Sequence, residues 1–340
     1  MRSAIVLGCV VLLAACSNPR QEVTSQLAQQ VLLPAHQQWH DRNAALVQAV
    51  KGFCEGDAER TSVAQAFMAS QQGWSYLQPL MVGPLSEGNR SWQVQFYPDK
   101  RNMVAQQAEA LLDSHDPLTQ QALDGASVVV QGLTAFEYVL FDDSVELQAD
   151  KARYCPMLMG IAHHQQGLSG EVMALWEETG GMLAQLTDFP NDRYASAEEA
   201  LGGVLRVQIT GVDVLKKKLG TPMGRLNQGV AQPYQAEAWR SRQSVASLQA
   251  SLAGAQAVWE RVRSLVSDGE LAGKIDQAYA ETRDKLEALP APLFELVQDP
   301  ANQPLLQDLY RSLDTLETLQ QAELASDLGI QIGFNANDGD

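Results

Sequence analysis

Residues Asp124–Asp143 read DGASVVVQGLTAFEYVLFDD, and the middle of this stretch is apolar at nearly every position. A helix that is hydrophobic on all sides belongs at the centre of a helical domain, where other helices cover it. The stretch also carries one carboxylate, Glu137, with Thr134 one turn earlier on the same face. A buried carboxylate must be hydrogen-bonded, paired with a cation or protonated. The pattern therefore predicts a central helix over 124–143 and either a structural acid or a functional site at Glu137.

The rest of the sequence predicts an all-α protein. Apolar residues recur at helical spacing in most segments, and residues 92–102 are predicted as a structured loop. The motif Ser196 to Glu199 is a capping box, which marks the start of one helix. The predicted helices span 25–53 (with a bend at Pro34), 58–80, 99–112, 150–186, 196–219, 235–266, 269–289 and 302–328.

The charge balance restricts the classes of partner. The chain has 340 residues, long enough for two folding units. Its 24 Lys and Arg residues against 41 Asp and Glu residues give a formal net charge of −17. This acidity argues against nucleic acid and anionic lipid surfaces as partners. It does not identify a ligand.

The first fifteen residues, 1–15, predict an export signal rather than part of the fold. The apolar core Ala4–Leu13 is too short for a transmembrane helix, and LAAC at 13–16 resembles a bacterial lipobox. We therefore expect cleavage before Cys16, lipidation of its sulfur and a polar tether over 16–24. The alternative is an ordinary signal peptide with an incidental cysteine. Ser17 favours the outer membrane of a Gram-negative bacterium, with the body in the periplasm or at the surface.

Processing at this site would leave two cysteines in the mature chain, Cys54 and Cys155. Two thiols in an oxidising compartment predict a disulfide, which would close a loop of about 100 residues. Two buried free thiols are the alternative. Neither cysteine has a histidine or a basic residue next to it in the sequence, so neither is predicted to be catalytic.

Two histidine pairs are candidate metal ligands. His36 and His40 are one helical turn apart, which is the spacing of a two-ligand site. Gln37 stands where zincin proteases have a glutamate, however, and an amide cannot act as a general base. Two surface histidines are therefore the favoured interpretation. His163 and His164 are adjacent and point about 100° apart, which favours interhelical or surface roles.

Several stretches, in their order along the chain, resemble the imelysin family, also known as peptidase family M75, in its bacterial lipoprotein branch. They are the lipobox, FYPDKRN at 96–102, GLTAFEYVLFD at 132–142, Tyr154-Cys155 and the ending GFNANDGD at 333–340. The resemblance implies two four-helix bundles related by duplication, which we expect at 25–190 and 191–340. It also implies an iron-regulated or iron-associated envelope protein. A reported peptidase activity gave the family its name.

The family's marker motif, Gly-x-His-x-x-Glu, is incomplete in this chain. Gly132 and Glu137 occupy the glycine and glutamate positions, whereas Thr134 stands in place of the histidine. Thr and Glu offer a metal one strong ligand and one weak one, and a catalytic metal normally needs three protein ligands. The resemblance therefore supports the fold and the compartment more strongly than metal binding at Glu137. It supports peptidase activity least.

Four further residues are candidates for the pocket. Asp99 and Arg101 lie in the 92–102 loop, which we expect to pack over the end of a bundle so that Arg101 could pair with Glu137. Arg206 and Asp213 lie two turns apart on one side of a helix, and Arg206 is a second candidate partner for Glu137.

These observations predict a non-enzymatic, iron-related lipoprotein that binds its ligand in a cleft between two bundles. The candidate cofactor is iron or another divalent metal. The candidate partners are the membrane, through the lipid at Cys16, and iron-uptake or redox proteins of the envelope. One alternative is an M75-type metallopeptidase. The other is a structural or assembly lipoprotein with a decayed site, in which a protein group neutralises Glu137 and no open cleft surrounds it.

Overall fold

The structure is a computed structural model that describes residues 18–114 and 117–331. Within these ranges the regular elements are all helical, so the all-α prediction is confirmed. The export signal, Cys16 and the ending over 332–340 lie outside the described residues. The helices are α1 (Pro19–Leu27), α2 (Leu33–Glu55), α3 (Arg60–Leu77), α4 (Arg90–Val94), α5 (Met103–Ser114), α6 (Gln120–Asp124), α7 (Leu133–Phe141), α8 (Lys151–Glu177), α9 (Met182–Thr187), α10 (Ala197–Gly220), α11 (Ser244–Val262), α12 (Gly269–Glu287), α13 (Leu293–Leu296), α14 (Gln303–Thr318) and α15 (Ala325–Asp327).

Two groups of helices share one hydrophobic core. In the first group, α2 packs against α3 and α8, and α7 packs against α8 and α5. In the second group, α10 packs against α11 and α14, and α12 packs against the same two helices. Helix α11 also packs along α3, which joins the groups into one body. Whether the groups arose by duplication stays a prediction.

The chain is helical almost from the start of the described part, where a tether over 16–24 was expected. Asn18 caps α1, because its side chain accepts a hydrogen bond from the backbone N–H of Arg20 at 3.0 Å. Val23 and Thr24 are buried, and α1 packs against α10 and α11 of the second group. Because these side chains have a core to enter, residues 19–24 belong to the folded body, where a tether was expected.

A π-helical turn over Ala28–Leu32 connects α1 to α2. The bend was predicted at Pro34, which lies at the first positions of α2. Proline has no N–H to donate and its ring crowds the preceding turn, and a π-turn is one way for a helix to continue across such a position.

The central helix is shorter than predicted. Only Leu133–Phe141 is α-helical, and residues 128–130 form a single 3₁₀ turn. The Gln131 side-chain amide donates to the carbonyls of Leu123, Asp124 and Ala126, at 3.0–3.2 Å, in place of a regular helical ladder. A Cβ on Gly132 would lie 2.6 Å from the carbonyl oxygen of Val94, so only glycine permits this close approach.

The other predicted helices are mostly present. The helix predicted over 25–53 is present but begins six residues earlier, at Pro19, and contains the π-helical turn already described. Helices over 58–80, 196–219 and 269–289 are confirmed within a few residues at their ends. The helix predicted over 150–186 is interrupted between α8 and α9, where Gly180 has a φ of 74°. The helix predicted from 235 begins only at Ser244, because Ala238 and Arg242 adopt positive φ values of 50° and 60°. The helix over 302–328 contains a π-helical turn at Leu319–Leu324.

A disulfide joins Cys54, near the end of α2, to Cys155, in the first turns of α8. The predicted pairing is therefore confirmed, and the alternative of two free thiols is excluded. The bond links residues 101 positions apart within the first group. None of the described helices combines the length and the apolar character needed to cross a bilayer.

Candidate functional site

Glu137 lies on α7 and is 3% exposed. Its Oε1 accepts two hydrogen bonds from Ser241, one from the backbone N–H and one from the hydroxyl, each at 2.7 Å. Ser241 belongs to the non-helical segment just before α11, 104 residues along the chain. Glu137 is therefore hydrogen-bonded within the protein, and its contact joins the two helix groups.

The protonation of Glu137 reflects competing effects. Burial raises the pKa of its carboxyl, which is the largest effect. The two hydrogen bonds from Ser241 and the charge of Arg240 act in the opposite direction, and the charge of Glu237 raises the pKa further. The net shift is upward, so Glu137 holds its proton to a higher pH than an ordinary glutamate.

Arg240 fixes the same segment from its other side. Its guanidinium, 3% exposed, donates from Nε to Asp142 Oδ2 at 2.7 Å, and from Nη2 to Asn102 Oδ1 at 2.9 Å. It also lies over the ring of Trp239, with its Cζ 4.4 Å from the ring centroid. Partial burial opposes the effect, but hydrogen bonds from Arg240 and Ser144 hold the pKa of Asp142 below its usual range.

A buried ion pair lies next to this segment. Lys218 Nζ of α10 is 2.6 Å from Glu237 Oε1 and donates to Gln78 Oε1 at 2.7 Å. Gln78 Nε2 donates to the same Glu237 oxygen at 3.0 Å, whereas Glu237 Oε2 is buried without a hydrogen-bond partner. Burial lowers the pKa of Lys218, and Glu237 opposes this effect.

Lys218 and Gln78 also line an open cleft of about 960 Å³. One wall is the face of α10 from Arg206 to Lys218, and the opposite wall comes from residues 74–100 of the first group. The chain after α10, over 221–235, completes the cleft. Tyr97 lies in the wall and donates its hydroxyl to the carbonyl of Gln235 at 3.0 Å. The volume is within the range of pockets for small organic ligands.

The predicted site residues occupy separate places. Arg206 lines the cleft and is exposed. Asp213 forms an ion pair with Lys217 at 2.9 Å, one turn along α10. Asp99 caps α5, where its two oxygens accept from the N–H groups of residues 103 and 104 at 2.7 and 3.0 Å.

The predicted partners of Glu137 differ from those found. Arg101 is exposed and makes no ion pair with Glu137, so that hypothesis is wrong. Arg206 does not pair with Glu137 either. The basic residue that acts on Glu137 is Arg240, which immediately precedes Ser241 in the chain. Thr134 uses its hydroxyl to donate to the carbonyl of Phe96 at 3.0 Å, and this bond fixes α7 to the loop between α4 and α5. That loop is shorter than the predicted 92–102, because residues 92–94 belong to α4.

The histidines do not converge on a common ligand. His36 is fully buried, not at the surface as expected. Its Nδ1 lies 2.8 Å from the carbonyl of Leu32, and its ring contacts Trp176. Burial lowers the pKa of His36 to about 4. His40 Nδ1 lies 3.1 Å from Ser169 Oγ, and His164 Nδ1 lies 3.1 Å from Asp124 Oδ1.

The residues at the signature position do not fit a metal ion. Thr134 is engaged with a backbone carbonyl, and Glu137 with Ser241. Over 18–114 and 117–331, no group of three or more His, Cys, Asp or Glu side chains is arranged to hold a metal. A protein metal centre of the catalytic type needs such a set, so we derive no chemistry through a metal at Glu137.

Sequence reasoning missed Ser241, Glu237, Arg240 and Lys218. The first three lie in a segment whose composition predicts the start of a helix, and a lysine near the C-terminal end of a helix, as Lys218 is, predicts only a favourable charge there. Their importance depends on contacts with α3, α7 and the 92–102 loop. We find no signal for those contacts in a single sequence.

Comparisons with known proteins agree with this fold. The family model for imelysin matches residues 32–320. An imelysin-like protein of Psychrobacter arcticum 273-4 superposes with a TM-score of 0.80 and 20% identity, over 93% of this chain and 97% of the other. A Parabacteroides distasonis ATCC 8503 protein, assigned as an iron-regulated protein A precursor, superposes with a TM-score of 0.70 and 11% identity, over 88% and 95%. No curated protein matches the sequence.

Proposed function

Because this chain belongs to the imelysin family, we propose that it is a non-enzymatic binding protein of the bacterial envelope with a role in iron uptake. Its ligand, an iron species or a partner protein, binds in the cleft beside α10. The cleft is the observation that carries this proposal, because it is open, has a volume of about 960 Å³ and lies where the two helix groups meet. The iron-regulated name of the Parabacteroides distasonis protein supports the physiological context.

The same proposal assigns Glu137 a structural role. A carboxyl that is buried, hydrogen-bonded to Ser241 and shifted toward its neutral form is a weak cation ligand. The alternative of a structural or assembly lipoprotein has two expectations: a protein group neutralises Glu137, and no open cleft surrounds it. The contact with Ser241 supports the first of them. The open cleft that Lys218 and Gln78 line favours a binding protein instead.

Attachment to the membrane is part of the proposal. The lipobox-like LAAC at 13–16 supports cleavage before Cys16 and a lipid on its sulfur. A Gram-negative outer membrane, with iron-uptake or redox proteins as neighbours, is the expected setting.

A deletion strain tests this function. Under iron limitation, we expect cells without the chain to accumulate several-fold less iron than the parent, and expression of the wild-type chain to restore uptake. Cys16→Ser, a matched substitution of one sulfur atom, should restore it poorly if the anchor matters. Unchanged iron accumulation in the deletion strain contradicts the proposal. Chelator-sensitive proteolysis by the purified chain would favour the metallopeptidase alternative.

A further inference from the structure

The charged groups that line the cleft all have the same sign. They are Lys100, Arg206, Lys217 and Lys218, and no Asp or Glu side chain is among the lining residues. This pattern is opposite to that of the whole chain, in which acidic residues outnumber basic ones by 41 to 24. A cleft lined by one sign of charge concentrates counter-ions of the other sign.

Two of these cations form ion pairs with carboxylates that do not line the cleft, and the other two form no ion pair in the part of the chain that the structure describes. Lys217 pairs with Asp213 at 2.9 Å, and Lys218 pairs with Glu237 at 2.6 Å. Neither carboxylate is a lining residue. Arg206 and Lys100 are exposed, and neither makes an ion pair within the described ranges. These two groups supply uncompensated positive charge toward the cleft.

The wall between the cations is apolar. On α10, Arg206 and Lys217 are eleven residues apart, or roughly 16 Å along the axis, and Val207 and Val214 line the cleft between them. Trp92 lines the opposite side and is 47% exposed. A ligand that fits this arrangement carries negative groups at its periphery and carbon surface between them.

The volume also distinguishes an organic ligand from a bare ion. A cleft of about 960 Å³ has room for roughly thirty water molecules at about 30 Å³ each. A metal ion held directly by protein needs clustered donor side chains, and within 18–114 and 117–331 there is no such cluster. A cargo metal would instead enter inside an organic complex.

We propose that this cleft binds a carboxylate-rich organic anion, held at Arg206 and Lys100 and packed against Trp92. The identity of its cargo rests on the proposed function, under which the anion is a ferric chelate rather than a free iron ion. Free carboxylate anions and ferric carboxylate complexes share the chemistry that the cleft recognises, and the experiment distinguishes them.

Isothermal titration of the full chain in detergent tests the inference with three probes. They are ferric citrate in a fixed excess of citrate, citrate alone at the same concentration, and the neutral complex ferric maltol. We expect ferric citrate to bind, the neutral complex to bind at least tenfold more weakly, and the affinity to fall as salt is raised, since screening weakens exposed charges.

Charge reversals locate the site. Arg206→Glu and Lys100→Glu should each weaken ferric citrate binding at least tenfold. Arg283→Glu changes the net charge by the same amount at an exposed position of α12 outside the cleft lining, and should leave the affinity within twofold of wild type. Circular dichroism of all three variants checks that they are folded.

The outcomes separate this inference from the proposed function. Failure of both citrate probes to bind, or binding that neither cleft variant weakens, overturns the anion site even if the deletion strain has its iron phenotype. Equal affinity for citrate and ferric citrate supports the anion site and contradicts selection of an iron chelate. Preference for ferric citrate, lost in Arg206→Glu but kept in Arg283→Glu, supports both parts.

Discussion

Ser241 donates both its backbone N–H and its hydroxyl to a single oxygen of Glu137. This arrangement satisfies that oxygen without a formal ion pair, and Arg240 contributes its charge from nearby rather than by direct contact. The contact therefore requires an acceptor at position 137, but not a charged one.

This requirement predicts different results for two substitutions of Glu137. Glu137→Gln keeps an oxygen acceptor for Ser241 and should change the free energy of unfolding by less than about 1 kcal/mol below pH 4.5, where both side chains are neutral. Glu137→Ala leaves the buried N–H of Ser241 unsatisfied and opens a cavity, so it should cost about 2–4 kcal/mol. Urea denaturation of the wild type and both variants measures the difference.

The pH dependence of the stability of wild type and of Glu137→Gln tests the direction of the pKa shift of Glu137. A glutamate whose pKa is raised by folding stabilises the protein below its unfolded pKa, about 4.5, and loses this contribution as the pH rises through its folded pKa. The stability of wild type relative to Glu137→Gln should therefore fall as the pH rises from about 4.5 through the raised pKa of the folded protein. A relative stability that rises over this range would mean that Glu137 is held ionised.

At the scale of elements, the segment between 236 and 243 connects the two helix groups. It is fixed to α7 through Glu137 and to α10 through the pair Lys218–Glu237. Both members of this pair are buried, and Gln78 completes their hydrogen bonding on one side.

Removal of one partner of the buried pair should be more costly than removal of both. Lys218→Met or Glu237→Leu alone leaves an uncompensated buried charge and should cost about 3–5 kcal/mol. The double variant should recover a large part of this loss, because it leaves no buried charge. Free energies of unfolding of the four proteins give the coupling energy, and additive single effects would contradict the importance of the pair.

The elements differ in how far the sequence could predict them. The bounds of α10 follow from local signals, since Ser196 accepts from the N–H of Glu199 and the Glu199 side chain accepts from the N–H of Ala195. The stretch before Gly132 depends on its close approach to Val94. The turn around Ser241 likewise depends on Glu137, 104 residues away. The conformation of these two segments therefore depends on contacts between residues remote in sequence, which local sequence patterns do not predict.

At the scale of the whole molecule, the family and the fold class could be predicted because they rest on many motifs in a fixed order. For the cleft, the sequence predicted only a position between two helical bundles. Of the residues proposed for the cleft, Arg206 lines it. Asp99 instead caps a helix, and Arg101 is exposed and does not contact Glu137. The uniform positive charge of the cleft arises from side chains on α10 and on the loop between α4 and α5, which are about 100 residues apart in the sequence.

The disulfide restricts the unfolded chain as a whole. Because it joins residues 101 positions apart, its loss should lower the free energy of unfolding by up to about 4–5 kcal/mol in the chain-entropy model. The double variant Cys54→Ser/Cys155→Ser, which leaves no lone thiol, should show this loss in urea denaturation. Reductant should destabilise wild type to a similar extent and leave the variant unchanged; equal stability of all samples would contradict the prediction.

The start of α1 lies beside the end of the described chain. Arg20 Nη2 donates to the carbonyl of Leu328 at 2.9 Å, and Asn18 Nδ2 donates to Glu198 Oε1 at 3.1 Å. With a lipid on Cys16, as proposed, only two residues would lie between the bilayer anchor and the first residue of α1, so three Cα–Cα steps would span a reach of roughly 11 Å. The protein would then stand close to the bilayer with this end toward it. Its distance from the bilayer, and hence the height at which a neighbour in the same membrane could meet it, would be confined to a narrow range.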